Sequence, residues 1–600
     1  MWQGDMSARQ KQRVFGLLLL VVLIFTYMFG KLFWIQVVSA EHYSAYNVDL
    51  VKNSVAQRQQ ALVLASGRGD IYDRSLQPFT GRTIQALAAF PVRDGYSGDS
   101  VQIAGLAGIL HTTAAQWQAF AAHLNAAKLW GMEGGGEPVA LSVEQVRQIE
   151  ALGLPNARVV SYQIRYPVEM AARQVIGFIG QNPERVQGLF ASELAGGKLT
   201  LTSRIGVAGL EKTFEPWLRG QGATSISYFT DAGKRPLGGL DARIIEPDNP
   251  YYPLKLVTTL DADIQQRIEQ LMDRMQIREG SAVVLDAQQA DVIAMASRPN
   301  FNPGQIDPAD SAWGNEALKA TTPGSIFKTV VAAAALEEGV VAPDETFDCE
   351  GALGKYGFTC WKKDGHGPLT LEQGFAESCN IVFARVAERL TAAQIETYAR
   401  KLGLLAPVGW TGTVGEQTGL SMWDGEEAGQ LFAAKTPKND EGVRMQTAIG
   451  QRDVLVTPLQ AANMIVTLLH GGEALEPRIV QELRYRTDRV MQRFPAQKLA
   501  DSDGRISEKT SRTLLQWMQE VVEDGTGQSL QGAKWKLAGK SGTAQVGAGA
   551  QQTVNQWFIG YGPVDSPRYA VSVVVEHTDP QAANQALPLF KGIMDILAGQ

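Results

Sequence analysis

The longest apolar stretch of the chain lies near its start. From Val14 to Gly30 no charged residue occurs, and after Lys31 the apolar character resumes through Leu32, Phe33, Trp34, Ile35, Val37 and Val38. A helix needs about 17–25 mostly apolar residues to cross a bilayer. Residues 14–38 are therefore predicted to span one, with residues 1–13 as a cytoplasmic tail. Arg9, Lys11 and Arg13 precede the span, which orients it with the short tail inside. Trp34 suits the far interface, towards which Lys31 can snorkel. Val38-Ser39-Ala40 also fits the small-residue site at which a signal peptide is cut, but the run exceeds a usual signal core, which favours a retained anchor. Either way the remaining chain lies outside the membrane. No second comparable run occurs, so one crossing is expected.

Beyond the anchor the pattern changes twice. Residues 39–253 mix short alternating stretches with helical ones, such as the Ala-rich Leu106 to Leu124. Gly134-Gly-Gly-Glu137 and Glu246-Pro-Asp-Asn-Pro250 read as loops. Leu254 to Asp261 alternates like a strand, which places the main boundary before it and gives a second module at 254–600. In that module Asp263 to Met275 has helical spacing, and Ser281–Asp286 with Asp291–Ala296 reads as a hairpin. Trp557–Tyr561 and Tyr569–Val575 read as neighbouring strands. Pro588–Leu597 reads as a closing helix with proline in its first turn. The fold class expected is α+β and multidomain.

Composition narrows little. Six hundred residues suggest roughly three or four units. The net charge of −7 is spread without a basic patch, so nucleic acid is not an expected partner. Three cysteines, Cys349, Cys360 and Cys379, match neither a disulfide scaffold nor a zinc spacing, since no C-x-x-C occurs and the six histidines are scattered. Cys349 and Cys360 could close a small disulfide loop or remain free thiols. Cys379 reads as a small buried residue rather than a nucleophile.

The chemistry sits in three short strings. Ser325-Ile-Phe-Lys328 follows Pro323-Gly324 and opens the apolar stretch Ile326–Leu336, so Ser325 is expected at a helix N-terminus with Lys328 one turn on. A crowded or buried lysine can lose its charge and take a serine proton. Ser378-Cys-Asn380 precedes the apolar helix Ile381–Leu390, where Ser378 could relay a proton and Asn380 hold an amide, although both residue types also cap helices. Lys540-Ser-Gly-Thr543 reads as strand. Lys540 would supply positive field, Ser541 and Thr543 hydroxyls for a carboxylate, and Gly542 room for a close approach. Backbone N–H groups of Ser325 and Thr543 could form an oxyanion hole. Each string alone is common; the ordered set is not.

With these strings the chain resembles the class B penicillin-binding proteins, single-pass peptidoglycan D,D-transpeptidases of bacteria. The resemblance extends beyond the triple to Arg68-Gly-Asp-Ile-Tyr-Asp-Arg74, Arg165-Tyr-Pro167 and Gly206-Val-Ala-Gly-Leu-Glu211. In the second module it includes Thr259-Leu-Asp261, Ala294-Met-Ala-Ser-Arg-Pro299, His366-Gly367, Ile449-Gly-Gln451, Thr457-Pro-Leu-Gln460, Asp524-Gly-Thr-Gly527 and Trp557-Phe-Ile-Gly560. Ser541 stands where threonine is commoner, a change that keeps the hydroxyl.

The resemblance implies a dimerisation or pedestal-like module at 39–253. It also implies a transpeptidase domain of serine β-lactamase type at 254–600, with a central antiparallel sheet flanked by helices. By matching position Ser325 would be the acylated nucleophile, Lys328 its base, Ser378 and Asn380 the second motif, and Lys540, Ser541, Gly542 and Thr543 the third. Arg68, Asp73, Arg74 and Glu211 would pair to hold the N-terminal module. Stem peptides would be substrates, β-lactams would trap Ser325, and a polytopic glycan polymerase would be a membrane partner. The scheme requires no cofactor and no metal. A D,D-carboxypeptidase or β-lactam hydrolase would share the triple but let water release the acyl group. A scaffold or β-lactam sensor would keep the site without turnover.

Overall fold

The computed structural model describes residues 8–43, 49–91, 98–132, 136–231, 242–307, 311–500, 504–547, 549 and 552–599. They form two compact units. One comprises the chain up to Ser66 with Thr83–Gln163 and Gly222–Asp248; the other comprises Gly67–Arg82, Ile164–Gln221 and everything from Asn249.

In the first unit a helix runs from Ala8 to Phe33 and continues as a wider turn to Val38, with none of its apolar side chains buried. It is the one helix among the described residues long and apolar enough to cross a bilayer. Strand Arg82–Ala89 lies between Lys128–Leu129 and Ala157–Ile164, and Gln59–Ala65 pairs with Thr224–Phe229. The expected helix Leu106–Leu124 is two helices, Ser100–Ile109 and Ala114–Ala122. The break falls where the Thr113 side chain caps the second one and Gln116 bonds back, a capping box that a composition-based reading passes over. Of the expected loops, Gly136, Glu137 and Glu246–Asn249 are irregular as read, while Gly134 and Gly135 lie outside the described residues.

The larger unit is built on helix α1 (Ala262–Arg274) and strands β1 (Gly280–Asp286) and β2 (Val292–Arg298). Then come helices α2 (Lys328–Glu338), α3 (Leu371–Ala376), α4 (Asn380–Arg389), α5 (Pro458–Leu469) and α6 (Glu508–Glu523). Strands β3 (Ala538–Val546), β4 (Thr553–Gly562) and β5 (Tyr569–Thr578) and helix α7 (Ala586–Leu597) complete it. The strands form one antiparallel sheet in the order β2-β1-β5-β4-β3. Its strands are apolar almost throughout because both faces are covered. Successive side chains alternate between two cores. Val283 and Leu285 face the core that holds α2 and α5, while Ala282 and Val284 join α1 and α7 with Ile268, Phe590 and Ile593. Helix α2 is buried from Val330 to Ala335, and its run of alanines lets neighbours close in on every side. Thr457 and Gln460 form a capping box at the start of α5, with Pro458 at its first turn, so one family-like string is a helix start.

The same unit holds a buried ion network. The Arg68 guanidinium lies 2.6 Å from Glu211 and 2.7 Å from Glu215, and Arg165 lies 2.6 Å from Glu211 and 2.8 Å from Asp70. The Tyr166 hydroxyl donates to Glu211 at 3.0 Å. Glu211 is wholly buried, and its two arginine partners hold its carboxyl below the usual range against the burial that opposes this. Two of the expected partners are employed differently. Asp73 closes its own turn by accepting from the Ser75 and Gln77 N–H groups, and the Arg74 N–H donates to the Leu260 carbonyl. Their places are taken by Arg165, Asp70 and Glu215.

Candidate active site

The three strings meet at one end of α2. Gly324–Phe327 forms a tight 3₁₀ turn that runs directly into α2, which puts Ser325 one turn before Lys328 at the helix entrance. The turn is pinned from several sides. The Gly324 N–H donates to Gly450 at 2.9 Å, Thr321 exchanges backbone hydrogen bonds with Val456, and the Trp557 indole donates to the Thr322 carbonyl at 3.0 Å.

Strand β3 is the edge of the sheet, and its Lys540–Thr543 segment runs beside this turn. Two glycines make the approach possible. A Cβ on Gly324, which has φ +55°, would stand 2.3 Å from the Thr543 carbonyl oxygen, and one on Gly542 would stand 2.8 Å from that of Pro323.

Lys328 is fully buried. Its ammonium donates to the Ser378 carbonyl at 2.7 Å, to Asn380 Oδ1 at 2.8 Å and to Ser378 Oγ at 3.3 Å, and lies 5.4 Å from the Phe383 ring centre. Burial pushes it down to about 7, with the Cys379 and Cys360 thiol groups opposing the shift. Ser378 carries a left-handed backbone, φ +53°, uncommon for a residue with a Cβ and often found where structure serves a site. That conformation closes α3 and turns the chain into α4, presenting the Ser378 carbonyl and the Asn380 amide to one lysine. Asn380 also donates to the Thr359 carbonyl at 3.2 Å, which fixes its flip.

Lys540 is equally buried. It donates to the Ser541 carbonyl at 3.0 Å and lies 5.6 Å from the centre of the Phe375 ring. Burial, and then the Lys328 cation, pull its ammonium well below the ordinary lysine range. From the sequence Lys540 is expected to supply positive field. In the free protein two crowded lysines instead compete for protonation, and an arriving anion would favour the charged form. The Ser541 hydroxyl lies 2.6 Å from that of Thr526, a residue of the Asp524-Gly-Thr-Gly527 string that had no role assigned from sequence.

A second group of side chains lies beside the first. Cys349, Cys360, His366 and Cys379 place their ligand atoms within 4.8 Å of one another. All three cysteines are free thiols and buried, as expected for Cys379. Their sequence spacing follows no ligand pattern; the fold draws them together from three separate segments.

A serine and a lysine at a helix entrance, a Ser-x-Asn turn and a Lys-Ser-Gly-Thr edge strand on a five-stranded antiparallel sheet define the penicillin-recognising class of transpeptidase folds. Comparison with known proteins agrees. Residues 280–595 match the penicillin binding protein transpeptidase domain, and residues 63–244 match the penicillin-binding protein dimerisation domain. The chain belongs to the class B penicillin-binding proteins, the D,D-transpeptidase family of peptidoglycan synthesis. It is a single-pass membrane protein with its folded domains outside the cytoplasm.

It is similar to stage V sporulation protein D of Bacillus subtilis, 28% identical over 76% of this chain and 67% of that one. It is also similar to the peptidoglycan D,D-transpeptidases MrdA of Acinetobacter baumannii and FtsI of Escherichia coli. Each is 24% identical over 96% of this chain, covering 87% and 89% of theirs. Two solved structures share the fold. One is described as structural coordination of polymerization and crosslinking by a peptidoglycan synthase complex, with TM-score 0.66, 22% identity and 98% of both chains covered. The other, a complex between a penicillin-binding protein (PBP2) and MreC from Helicobacter pylori, has TM-score 0.60 and 19% identity, covering 90% of this chain and 99% of that one.

Proposed function

We propose that this chain cross-links peptidoglycan stem peptides through an acyl-enzyme on Ser325 and that β-lactams acylate the same oxygen. The observation that carries the reading is the fully buried Lys328, lowered to about 7 and held by the second motif one turn from Ser325. A neutral amine there can accept the Ser325 proton as Oγ attacks the carbonyl between two D-alanines. The Ser325 and Thr543 N–H groups would receive the negative charge that forms on the carbonyl oxygen. Ser378 would pass the proton from Lys328 to the departing nitrogen, so the C–N bond breaks and D-alanine leaves as the amine. An acceptor amine from a neighbouring strand then attacks the ester, the Ser325 Oγ–carbon bond breaks, and the serine regains its proton. Lys540, Ser541 and Thr543 would hold the substrate carboxylate, whose charge restores the proton to Lys540. Gly542 leaves room for it, and Asn380 would hold a substrate amide.

A polytopic glycan polymerase is proposed as the membrane partner, in keeping with the synthase complex whose fold the chain shares.

The test supplies a peptide ending in D-Ala-D-Ala with an amine acceptor. The expected products are free D-alanine and the amide-transferred peptide. Lys328 works as a base only when neutral, so the rate is expected to rise with pH through about 7, falling about tenfold per unit below it, and to level above. Hydrolysed peptide alone would point to a carboxypeptidase, and a flat profile between pH 5 and 9 would remove Lys328 from the base role.

A further inference from the structure

We propose that Thr526 is a positioning residue for the substrate carboxylate: its hydroxyl donates to Ser541, so that the Ser541 proton is left for the carboxylate. This role rests on the proposed acyl transfer. Ser541 Oγ lies 2.6 Å from Thr526 Oγ1, and the Lys540 ammonium stands 3.5 Å from the same Ser541 oxygen. A hydroxyl has one proton to give and two lone pairs with which to receive, whereas a carboxylate only receives. Ser541 therefore serves a carboxylate only as a donor, and its neighbours must then donate to it.

The fold fixes Thr526 where it can do so. Helix α6 ends at Glu523, and the chain turns through Asp524-Gly-Thr-Gly527 against the end of α3. A Cβ on Gly525 would stand 2.4 Å from the Ala376 carbonyl oxygen, so this approach needs glycine. The Thr526 N–H donates to that carbonyl at 3.2 Å, and the Gly527 N–H closes the turn onto the Val521 carbonyl at 2.7 Å. Ala376 precedes Ser378 in the short segment that leads from α3 into the second motif. One threonine is thus tied through its backbone to the second motif and through its side chain to the third.

The Thr526 proton has two oxygens within reach, Ser541 Oγ at 2.6 Å and the Ala376 carbonyl at 3.5 Å. The first distance is in the ordinary range for O–H···O and the second lies beyond it. In the empty site the two hydroxyls can be ordered either way. With a carboxylate at Ser541 one order leaves every group paired: Thr526 donates to Ser541, and Ser541 donates to the anion. Bonds in such a row polarise one another, and the last, onto a charged acceptor, is the strong kind. Thr526 therefore acts on recognition of the carboxylate end of the donor peptide, not on the proton transfers at Ser325.

The test compares two acyl donors on the full chain in detergent: a peptidyl thioester whose leaving group carries a carboxylate, and the same thioester with that carboxylate amidated. Thr526→Val keeps the side-chain shape and removes the hydroxyl. It should slow Ser325 acylation by the acid about 5- to 30-fold, and by the amide less than about twofold. Thr526→Ser, which keeps the hydroxyl, should restore most of the rate. Adding Thr526→Val to Ser541→Ala should cost nothing more, since the threonine acts through the serine. The rise of rate with pH through about 7 should persist in Thr526→Val, because Lys328 is untouched. Thermal unfolding is followed alongside, and Thr526→Ala is run in parallel so that a misfolded valine variant does not decide the matter. Equal losses on both donors would make Thr526 a support of the fold and overturn the role. An unchanged valine variant, additive losses with Ser541→Ala or a shifted pH profile would overturn it too. A wild type acylated by neither donor would overturn the acyl-transfer reading, and this role with it.

Discussion

Lys328→Met is expected to lower the rate of Ser325 acylation by benzylpenicillin about 10²–10⁴-fold, the range a positioned general base contributes. Methionine nearly fills the lysine volume and removes only the amine. The loss should therefore arise without a fall in folding stability large enough to explain it, since a buried ammonium is costly to the fold. Lys328→Arg separates base from charge. Arginine keeps the positive charge but does not give up its proton, so it should be as slow as methionine. Both are read from acylation time courses with thermal unfolding alongside. An arginine variant close to the wild-type rate would show that Lys328 supplies field rather than basicity.

Glu211→Ala is expected to destabilise the larger unit by about 3–5 kcal/mol, the usual cost of removing one partner from a buried ion pair. Two guanidiniums, Arg68 and Arg165, converge on this one carboxylate, and alanine leaves them only Glu215 and Asp70. The damage should be larger than that from a surface pair such as Arg147 with Glu144, which contributes about 0–1 kcal/mol. The pH dependence has a definite sign. The Glu211 carboxyl is depressed in the fold, so the unfolded chain binds protons first as pH falls. Its stabilisation is complete above the ordinary carboxylate range and is lost only as pH drops below it. Denaturant unfolding at neutral pH measures the difference, and a shift under 1 kcal/mol would contradict this role.

Much of the site was legible because each part is local. Ser325 and Lys328 lie one helical turn apart, and Lys540 to Thr543 sit together within one strand, Ala538–Val546. The sheet was partly legible for the same reason, since Ser281–Asp286 and Tyr569–Val575 are apolar runs too short for helices. The boundary within Leu106–Leu124 was not, because it depends on one threonine hydroxyl turning back to cap a helix. The depression of Lys540 was hidden as well, being a product of burial beside a second lysine more than two hundred residues away in the chain. Least visible was the gathering of Cys349, Cys360, His366 and Cys379. Their spacing follows no ligand pattern, and only the turn of the chain at Ser378 brings Cys379 to the others. Likewise Arg165, Asp70 and Glu215 entered the ion network where Asp73 and Arg74 were expected, because partner choice there follows packing rather than sequence order.

The most direct measurement is intact mass after incubation with benzylpenicillin, on the wild type and on Ser325→Ala, with peptide mapping of any adduct. The expected result is one stable penicilloyl group per wild-type chain, located on Ser325, and none on the variant. An adduct on another residue, an adduct that persists in Ser325→Ala, or consumption of the drug with no adduct would contradict the acyl-enzyme account.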